Sequence, residues 1–145
     1  MIKTMYLMCI ISFVTALCCA SQPVFAQDIT VGITVVKASN NGTEFDSSLT
    51  GIKSQLARLN YTSYKQIKTD QKTGQPREEV WFDLPNGDRM RVVLLGIENT
   101  YIKLLVSMEQ AGLKTHFKII NNGTVIVGGN EYEDGYLVVA LTASY

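Results

Sequence analysis

Beyond residue 19 the chain has no cysteine; Cys9, Cys18 and Cys19 all fall in the opening stretch MIKTMYLMCIISFVTALCCASQPVFAQ. The remainder has neither a disulfide to staple it nor a thiolate to act as ligand or nucleophile, so its stability must come from a hydrophobic core. Histidine is almost as scarce, with His116 the only one. Zinc sites take several His or Cys ligands, and one histidine does not make such a site. No G-x-x-x-x-G-K-[ST] or G-x-G-x-x-G run and no G-x-S-x-G elbow occurs. The usual signatures of nucleotide cofactors and of α/β-hydrolase chemistry are therefore missing, and no cofactor is expected. An excess of one charge is missing too: Lys and Arg number 13, and so do Asp and Glu. No global field steers such a chain to nucleic acid or to an anionic membrane.

What is present begins with an address. Lys3 forms a short positive region, an apolar stretch runs from Met5 to Ala20, Pro23 breaks it, and Val24-Phe25-Ala26 follows. This is the pattern of a secretory signal with a cleavage site after Ala26, and the apolar run is short for a bilayer-spanning helix of about 20 residues. Lipidation is not expected, because Thr15 and Ala16 stand where a leucine should precede Cys18 and Cys19. The expected organisation is a signal over 1–26 and a single β-rich domain over 27–145, exported to the periplasm or beyond, with no transmembrane segment in the mature chain. Losing Lys3 leaves that domain with a net charge of −1. Sequons stand at Asn41, Asn60 and Asn122, and two of them are also good turn sequences, which is explanation enough for those.

The mature part reads as strands. In DITVGITVVKA, Ile29, Val31, Ile33 and Val35 alternate on one face. Leu49, Ile52, Leu56 and Leu59 recur at helical spacing, which predicts one amphipathic helix over 47–60, capped near Asp46 and ended by Asn60. Strands are expected in YTSYKQIKTD, EEVWFDL, DRMRVVLLGIE, TYIKLLVSME, LKTHFKII, TVIVGG and YLVVALTAS, with QKTGQPR as a loop and Asn86-Gly87 as a hairpin turn. Short connections make neighbours antiparallel. Val92–Leu95 and Leu137–Leu141 are apolar on both faces, so both should be covered on both sides. The fold class is mainly β (α+β): about eight mostly antiparallel strands in a curved sheet or two-layer sandwich, with the helix near residues 47–60 closing one side.

The runs LTGIKSQLARLNYTSYKQI, LPNGDRMRV and NNGTVIVGGNEYEDGYLVVALTAS together carry a resemblance. They are similar to a group of small exported proteins of Gram-negative bacteria that share an amphipathic helix, a Y-x-S-Y strand, an L-P-x-G hairpin and a V-G-G-x-x-Y-x-D-G-x-L ending. The resemblance spans most of the mature chain. It implies export and fold, and brings no activity and no functional residues with it. The last segment alone also resembles the C-terminal β hairpin of secretin channels, whose multimerisation core is much longer than this chain.

Few residues suggest chemistry. Asn130, Glu131, Glu133 and Asp134 form an acidic knot that could offer oxygens to Ca²⁺. Their spacing does not match D-x-[DN]-x-[DN]-G, and the expected structure is a hairpin tip with solvated carboxylates and glycines 128, 129 and 135 supplying turn geometry. Trp81 beside Glu78 and Glu79 has the ingredients of a sugar site, though adjacent glutamates on a strand face opposite ways. Trp81 is either core or semi-buried, or an exposed platform on the face opposite Val80, Phe82 and Leu84, and Tyr132 is a second candidate ligand contact. Arg89, Arg91, Lys103, Lys114 and Lys118 make a scattered basic face, and His116 reads as a surface residue among them. The expected function is that of an exported non-enzymatic β domain, a binding, accessory or structural component of the envelope or cell surface. Its partner would be an envelope protein or surface polymer. The alternatives are a hydrolase acting on a cell-wall or glycan polymer, which needs two facing carboxylates in a cleft, and a small outer-membrane β-barrel.

Overall fold

A computed structural model describes residues 25–145. All but the last two residues of the predicted signal, and all three cysteines, lie outside the described residues. From Ile29 onward, alternation is converted into strands: β1 (Ile29–Ser39), β2 (Ser63–Gly74), β3 (Glu79–Asp83), β4 (Arg89–Glu98), β5 (Tyr101–Met108), β6 (Leu113–Ile120), β7 (Gly123–Tyr132) and β8 (Gly135–Ser144). They form two four-stranded sheets, a first with order β2-β1-β8-β7 and a second with order β3-β4-β5-β6. Every strand pair is antiparallel. The chain changes sheet from edge to edge, through residues 75–78 and again through 121–122. The eight strands are thus one meander, closed by the pairing of β1 with β8 and flattened into a sandwich.

The main core lies between the sheets. Ile29, Val31, Ile33 and Val35 of β1 and Leu137, Val139 and Leu141 of β8 meet Phe82, Met90, Val92, Leu94, Ile102, Leu104 and Val106 of the second sheet. A second core sits on the outer face of the first sheet, where Val36, Ala38, Tyr64 and Val138 are buried under Leu49 and Leu56. An irregularity in the β1–β2 register between Val35 and Val36 leaves Ile67 without a partner in β1. Such a bulge bends the sheet, here where the helical segment docks.

That segment spans the predicted residues but is not one regular α-helix. A 3₁₀ stretch, Ser47–Ile52, leads into a four-residue α1 (Lys53–Leu56) and a second 3₁₀ turn, Ala57–Leu59. The apolar spacing explains it. Leu49 to Ile52 and Leu56 to Leu59 are steps of three, which a 3₁₀ turn places on one face, whereas Ile52 to Leu56 is a step of four. Asp46 accepts from the Ser48 N–H at 3.0 Å, and Asn60 ends the segment at φ 59°. Asn122 is also left-handed, at φ 61°. Two sequon asparagines therefore have a backbone reason for their place.

The Y-x-S-Y motif has a packing explanation. The buried Tyr64 hydroxyl donates to the Leu56 carbonyl at 2.7 Å and accepts from the Tyr61 N–H at 3.3 Å. Phe45 and Tyr61 stand edge-on to the Tyr64 ring. Tyr64→Phe should therefore orphan a buried carbonyl at the end of α1 and cost about 1–3 kcal/mol. Urea unfolding of the variant checks this, and a midpoint equal to that of the wild type would mean the bond is not formed in solution.

Two expectations need correction. QKTGQPR is not wholly a loop, because β2 runs on to Gly74, paired with β1 as far as Ile29. Its polar composition belongs to an edge strand. Lys68, Asp70 and Lys72 share the inward face of Val35, Ile33 and Val31. The Lys72 ammonium lies over the Phe82 ring and Lys68 donates to the Asp83 carbonyl at 2.8 Å, so lysine stems close the seam between β2 and β3. The second correction concerns β4. Leu137–Leu141 is buried on both faces, as expected, but the outer face of β4 is not covered, and Leu95 is 42% exposed.

Candidate functional site

The two sheets differ in what lies outside them. The helical segment covers part of the first sheet, whereas among the described residues the outer face of the second carries no covering element. On that open face the registers align side chains into rows. Trp81 pairs with Arg91 and Arg91 with Ser107, while Asp83 pairs with Arg89 in the next row. Trp81 is half-buried there, on the face opposite Val80, Phe82 and Leu84, so it is a platform and not a core residue.

The platform is held by its neighbours. The Arg89 guanidinium lies 4.7 Å and that of Arg91 5.8 Å from the Trp81 ring centre, both within cation–π range. The indole N–H donates to Glu79 Oε1 at 3.1 Å, and Arg91 Nε donates to Glu79 Oε2 at 2.6 Å. Arg89 Nε donates to Asp83 Oδ1 at 3.0 Å. The Arg91 bond first, and the indole bond second, hold the Glu79 carboxyl below its ordinary range.

Two turns wall the groove. Leu84-Pro85-Asn86-Gly87 closes with Gly87 N–H on the Leu84 carbonyl at 3.1 Å, and Gly87 alone takes positive φ, 85°. The expected Asn-Gly geometry with both residues left-handed does not form, because Pro85 takes the position after Leu84 and passes the left-handed conformation on to Gly87. Asp88, only 3% exposed, accepts from the backbone N–H groups of Arg89, Gln110 and Ala111 and so ties this turn to the β5–β6 turn. Between the turns and the strand face is an open groove of 510 Å³ whose lining includes Trp81, Arg89, Arg91, Ser107 and Glu109. Ser107, Glu109 and Gln110 were not legible as site residues. Their place follows from the β4–β5 register and from Asp88, and the D-R-M-R alternation after the hairpin is the only sequence signal that pointed there.

The rest of the basic face is divided. Glu98 lies 3.4 Å from both Lys103 and Lys118, and the Lys118 bond first, with Lys103, lowers its pKa. His116 is exposed on β6 opposite Leu105, a surface histidine as expected.

The acidic knot is the tip of the β7–β8 hairpin, with Tyr132 paired to Gly135 and Glu133 at φ 52°. It does not simply splay into solvent. Lys37 reaches Glu133 Oε2 and Asp134 Oδ1, each at 2.5 Å, and Asn41 donates to Asp134 Oδ2 at 3.0 Å. One lysine at the end of β1 thus gathers two carboxylates whose repulsion would otherwise spread them. Glu131 is exposed, near the Tyr136 hydroxyl, and Asn130 lies in the register irregularity between Gly128 and Glu131. Tyr132 packs against the main core. The glycines are not turn residues. Gly128, Gly129 and Gly135 do not have positive φ, and a side chain on Gly129 or Gly135 would strike backbone. Among the described residues no three His, Cys, Asp or Glu side chains converge as metal ligands do.

The Lys37–Asp134 contact has a pH signature. Hydrogen bonds from Lys37 first and Asn41 second lower the Asp134 pKa, and those to Asp134 and Glu133 push Lys37 up to about 12. A depressed carboxyl contributes stability fully above its unfolded value of about 4 and loses it as pH falls through the lower folded value. The raised Lys37 contributes fully below about 10.4 and loses its share as pH rises through the folded value. The melting-temperature gap between wild type and Asp134→Asn should therefore be constant near neutrality and close below about pH 4. A gap that persists unchanged at pH 2 would contradict the pairing.

Comparison of the chain with family models, curated proteins and solved structures returned no match. The chemistry of the site therefore has to be read from its geometry.

Proposed function

We propose that this chain is an exported, non-enzymatic β domain of the bacterial envelope or cell surface that binds its partner through the open face of the second sheet around Trp81. The observation that carries the reading is the Arg89–Trp81–Arg91 ladder, held half-buried on a sheet face that no other element among the described residues covers. Aromatic and arginine anchors of this kind dominate recognition surfaces. The signal pattern and the resemblance to small exported proteins support the location.

Two of the groove's three carboxylates, Glu79 and Asp88, favour binding over hydrolysis. A glycosidase needs one carboxyl kept protonated, and Arg91 pulls Glu79 the other way. Asp88 is committed to three backbone N–H groups. The faces favour a soluble domain over an outer-membrane barrel. Such a barrel presents its apolar band outward. Here the larger apolar set of β1, β4, β5 and β8 points into the sandwich and Val36, Ala38 and Val138 lie under the helical segment, while β6 shows Lys114, His116 and Lys118 to solvent.

The test is retention of envelope components by the immobilised mature protein. Wild type and a first-sheet control, Thr34→Ala, should retain the same component, and Trp81→Ala should lose it. Equal retention by all three would place the partner on another surface and end this reading.

A further inference from the structure

We infer that the groove at Trp81 is a subsite for an uncharged saccharide chain. This rests on the proposed binding role of that face and names its ligand class. The first argument is charge. The two guanidinium groups beside the ring are each neutralised in place, Arg91 by Glu79 and Arg89 by Asp83. The cluster has no surplus of positive charge with which to select a phosphate, a nucleic acid or an acidic polymer, and Glu109 at the rim adds a negative one. An anionic ligand that reached the free N–H groups would meet Glu79, Asp83 and Glu109 beside them, whose negative charge opposes it.

The second argument is the mixture of donors and acceptors. Each guanidinium has five N–H groups, and the contacts to Glu79 and Asp83 leave others free. Glu79 and Glu109 offer acceptor oxygens, Ser107 offers a hydroxyl that both donates and accepts, and Gln110 is anchored by its amide N–H on the Gly87 carbonyl at 3.2 Å. Vicinal sugar hydroxyls need donors and acceptors side by side, whereas a carboxylate or phosphate needs donors only. An extended peptide would instead look for an unpaired strand edge; β4 and β5, which carry Arg91 and Ser107, are paired on both sides, and the edge of β3, which carries Trp81, faces the seam with β2 where Lys68 already donates to the Asp83 carbonyl.

The third argument is shape. Trp81, Arg91 and Ser107 form a row across three adjacent strands, about 10 Å long at the ordinary strand spacing. The row is bounded by two turns that Asp88 holds together. It is open at the surface, as suits a site along a polymer and not a pocket that engulfs a small molecule. The indole is presented with its N–H already bonded to Glu79, so a sugar ring meets an apolar face whose orientation is fixed. Stacking by guanidinium groups that remain solvent-exposed is readily exchanged for stacking by a ligand.

The experiment uses the only tryptophan in the chain as its own reporter. Fluorescence of the mature protein is titrated with tetramers of β-1,4-linked glucose, β-1,4-linked N-acetylglucosamine and α-1,4-linked glucose, and with oligogalacturonate as the acidic counterpart. At least one neutral tetramer should change the emission saturably, with a Kd that shifts less than twofold between low and high salt. By calorimetry Trp81→Ala should weaken that binding at least tenfold, while Trp81→Phe, which keeps a ring, should retain most of it. Melting curves of both variants identify any loss that comes from unfolding, and Ser107→Ala, which removes none of the hydrogen bonds that hold the ladder and no core side chain, should weaken binding in a folded protein. Preferential, salt-sensitive binding of oligogalacturonate would overturn the neutral assignment while leaving the face as the binding surface. Emission unchanged by every saccharide, with envelope retention still dependent on Trp81, would overturn the saccharide inference alone. Loss of both would overturn the proposed function as well.

Discussion

Leu56→Ala should destabilise the domain by about 2–5 kcal/mol, a large part of the 5–15 kcal/mol typical of a whole domain. Leu56 is fully buried in the second core, between the helical segment and the outer face of the first sheet. The segment has little stability of its own. Its α-helical part is four residues long, and short helices are marginal in water. What holds it is the apolar contact of Leu49 and Leu56 with the sheet, plus the Tyr64 hydroxyl bonded to the Leu56 carbonyl. Truncating Leu56 leaves a cavity in a thin layer that has no second row of side chains with which to fill it. Chemical denaturation should show the loss as a lower midpoint with native-like strand signal at zero denaturant, because the main core is a separate cluster. A midpoint unchanged from the wild type would mean that the segment is not docked.

Gly135→Val should cost more than about 3 kcal/mol, at or above the upper end of ordinary overpacking. The reason is not backbone freedom, since Gly135 does not have positive φ. A Cβ at this position would fall well inside contact distance of the Ala38 carbonyl oxygen, and close to the Ala38 carbon and the Ser39 side chain at 3.1 Å each. The obstacle is backbone of β1, which cannot turn aside as a long side chain could. Relief requires β8 to part from β1 at Tyr136–Ala38, beside the contacts of Lys37 with the hairpin tip. Gly135→Ala should therefore also be damaging, because the first carbon is the offending one. Gly128→Ala, where a Cβ meets nothing within 4 Å, should change the melting temperature little. If Gly128→Ala and Gly135→Ala proved equally mild in thermal unfolding, the close approach of β8 to β1 would be wrong.

The two variants test the two joins that make one body of this chain: the helical layer on the first sheet, and the closure of the meander by β1 and β8. The second pairs the first and last strands of the domain, whereas the first is largely local, since the segment lies between β1 and β2 and Tyr64 bonds back to Leu56. They also bear on the candidate site indirectly, because the groove lies on the far sheet and depends on the main core for its support. Substitutions at Trp81 should therefore change binding without the stability losses expected at Leu56 and Gly135, which is the separation that the binding experiments need.

Local pattern determined a great deal here. Period-two alternation placed the strands, the steps of three and four from Leu49 to Leu59 placed the helical segment, and Asp46 and Asn60 marked its ends. Want of cysteine required a hydrophobic core, and two apolar-faced strands with short connections implied a sandwich. These features are legible because burial on one face imposes a period on the residues that form it. What tertiary structure alone decided is which exposed-looking residues meet. Period two could put Trp81 on the face opposite Phe82, but only the β3–β4–β5 register set Arg89, Arg91 and Ser107 beside it. QKTG looked like a loop because an edge strand can carry exposed lysines, here Lys72, whose ammonium lies over the Phe82 ring at the rim of the core. The acids at residues 133 and 134 looked solvated because their counter-charge, Lys37, lies about a hundred residues away in sequence, on a strand brought alongside by the closure of the meander. Gly135 looked like a turn residue because sequence shows a missing side chain and not what stands in its place. In each case the deciding contact joins different strands, from the two arms of one hairpin at Trp81 and Arg91 to the two ends of the domain at Lys37 and Asp134. Such contacts leave no periodic trace, because only one or two residues on each side take part.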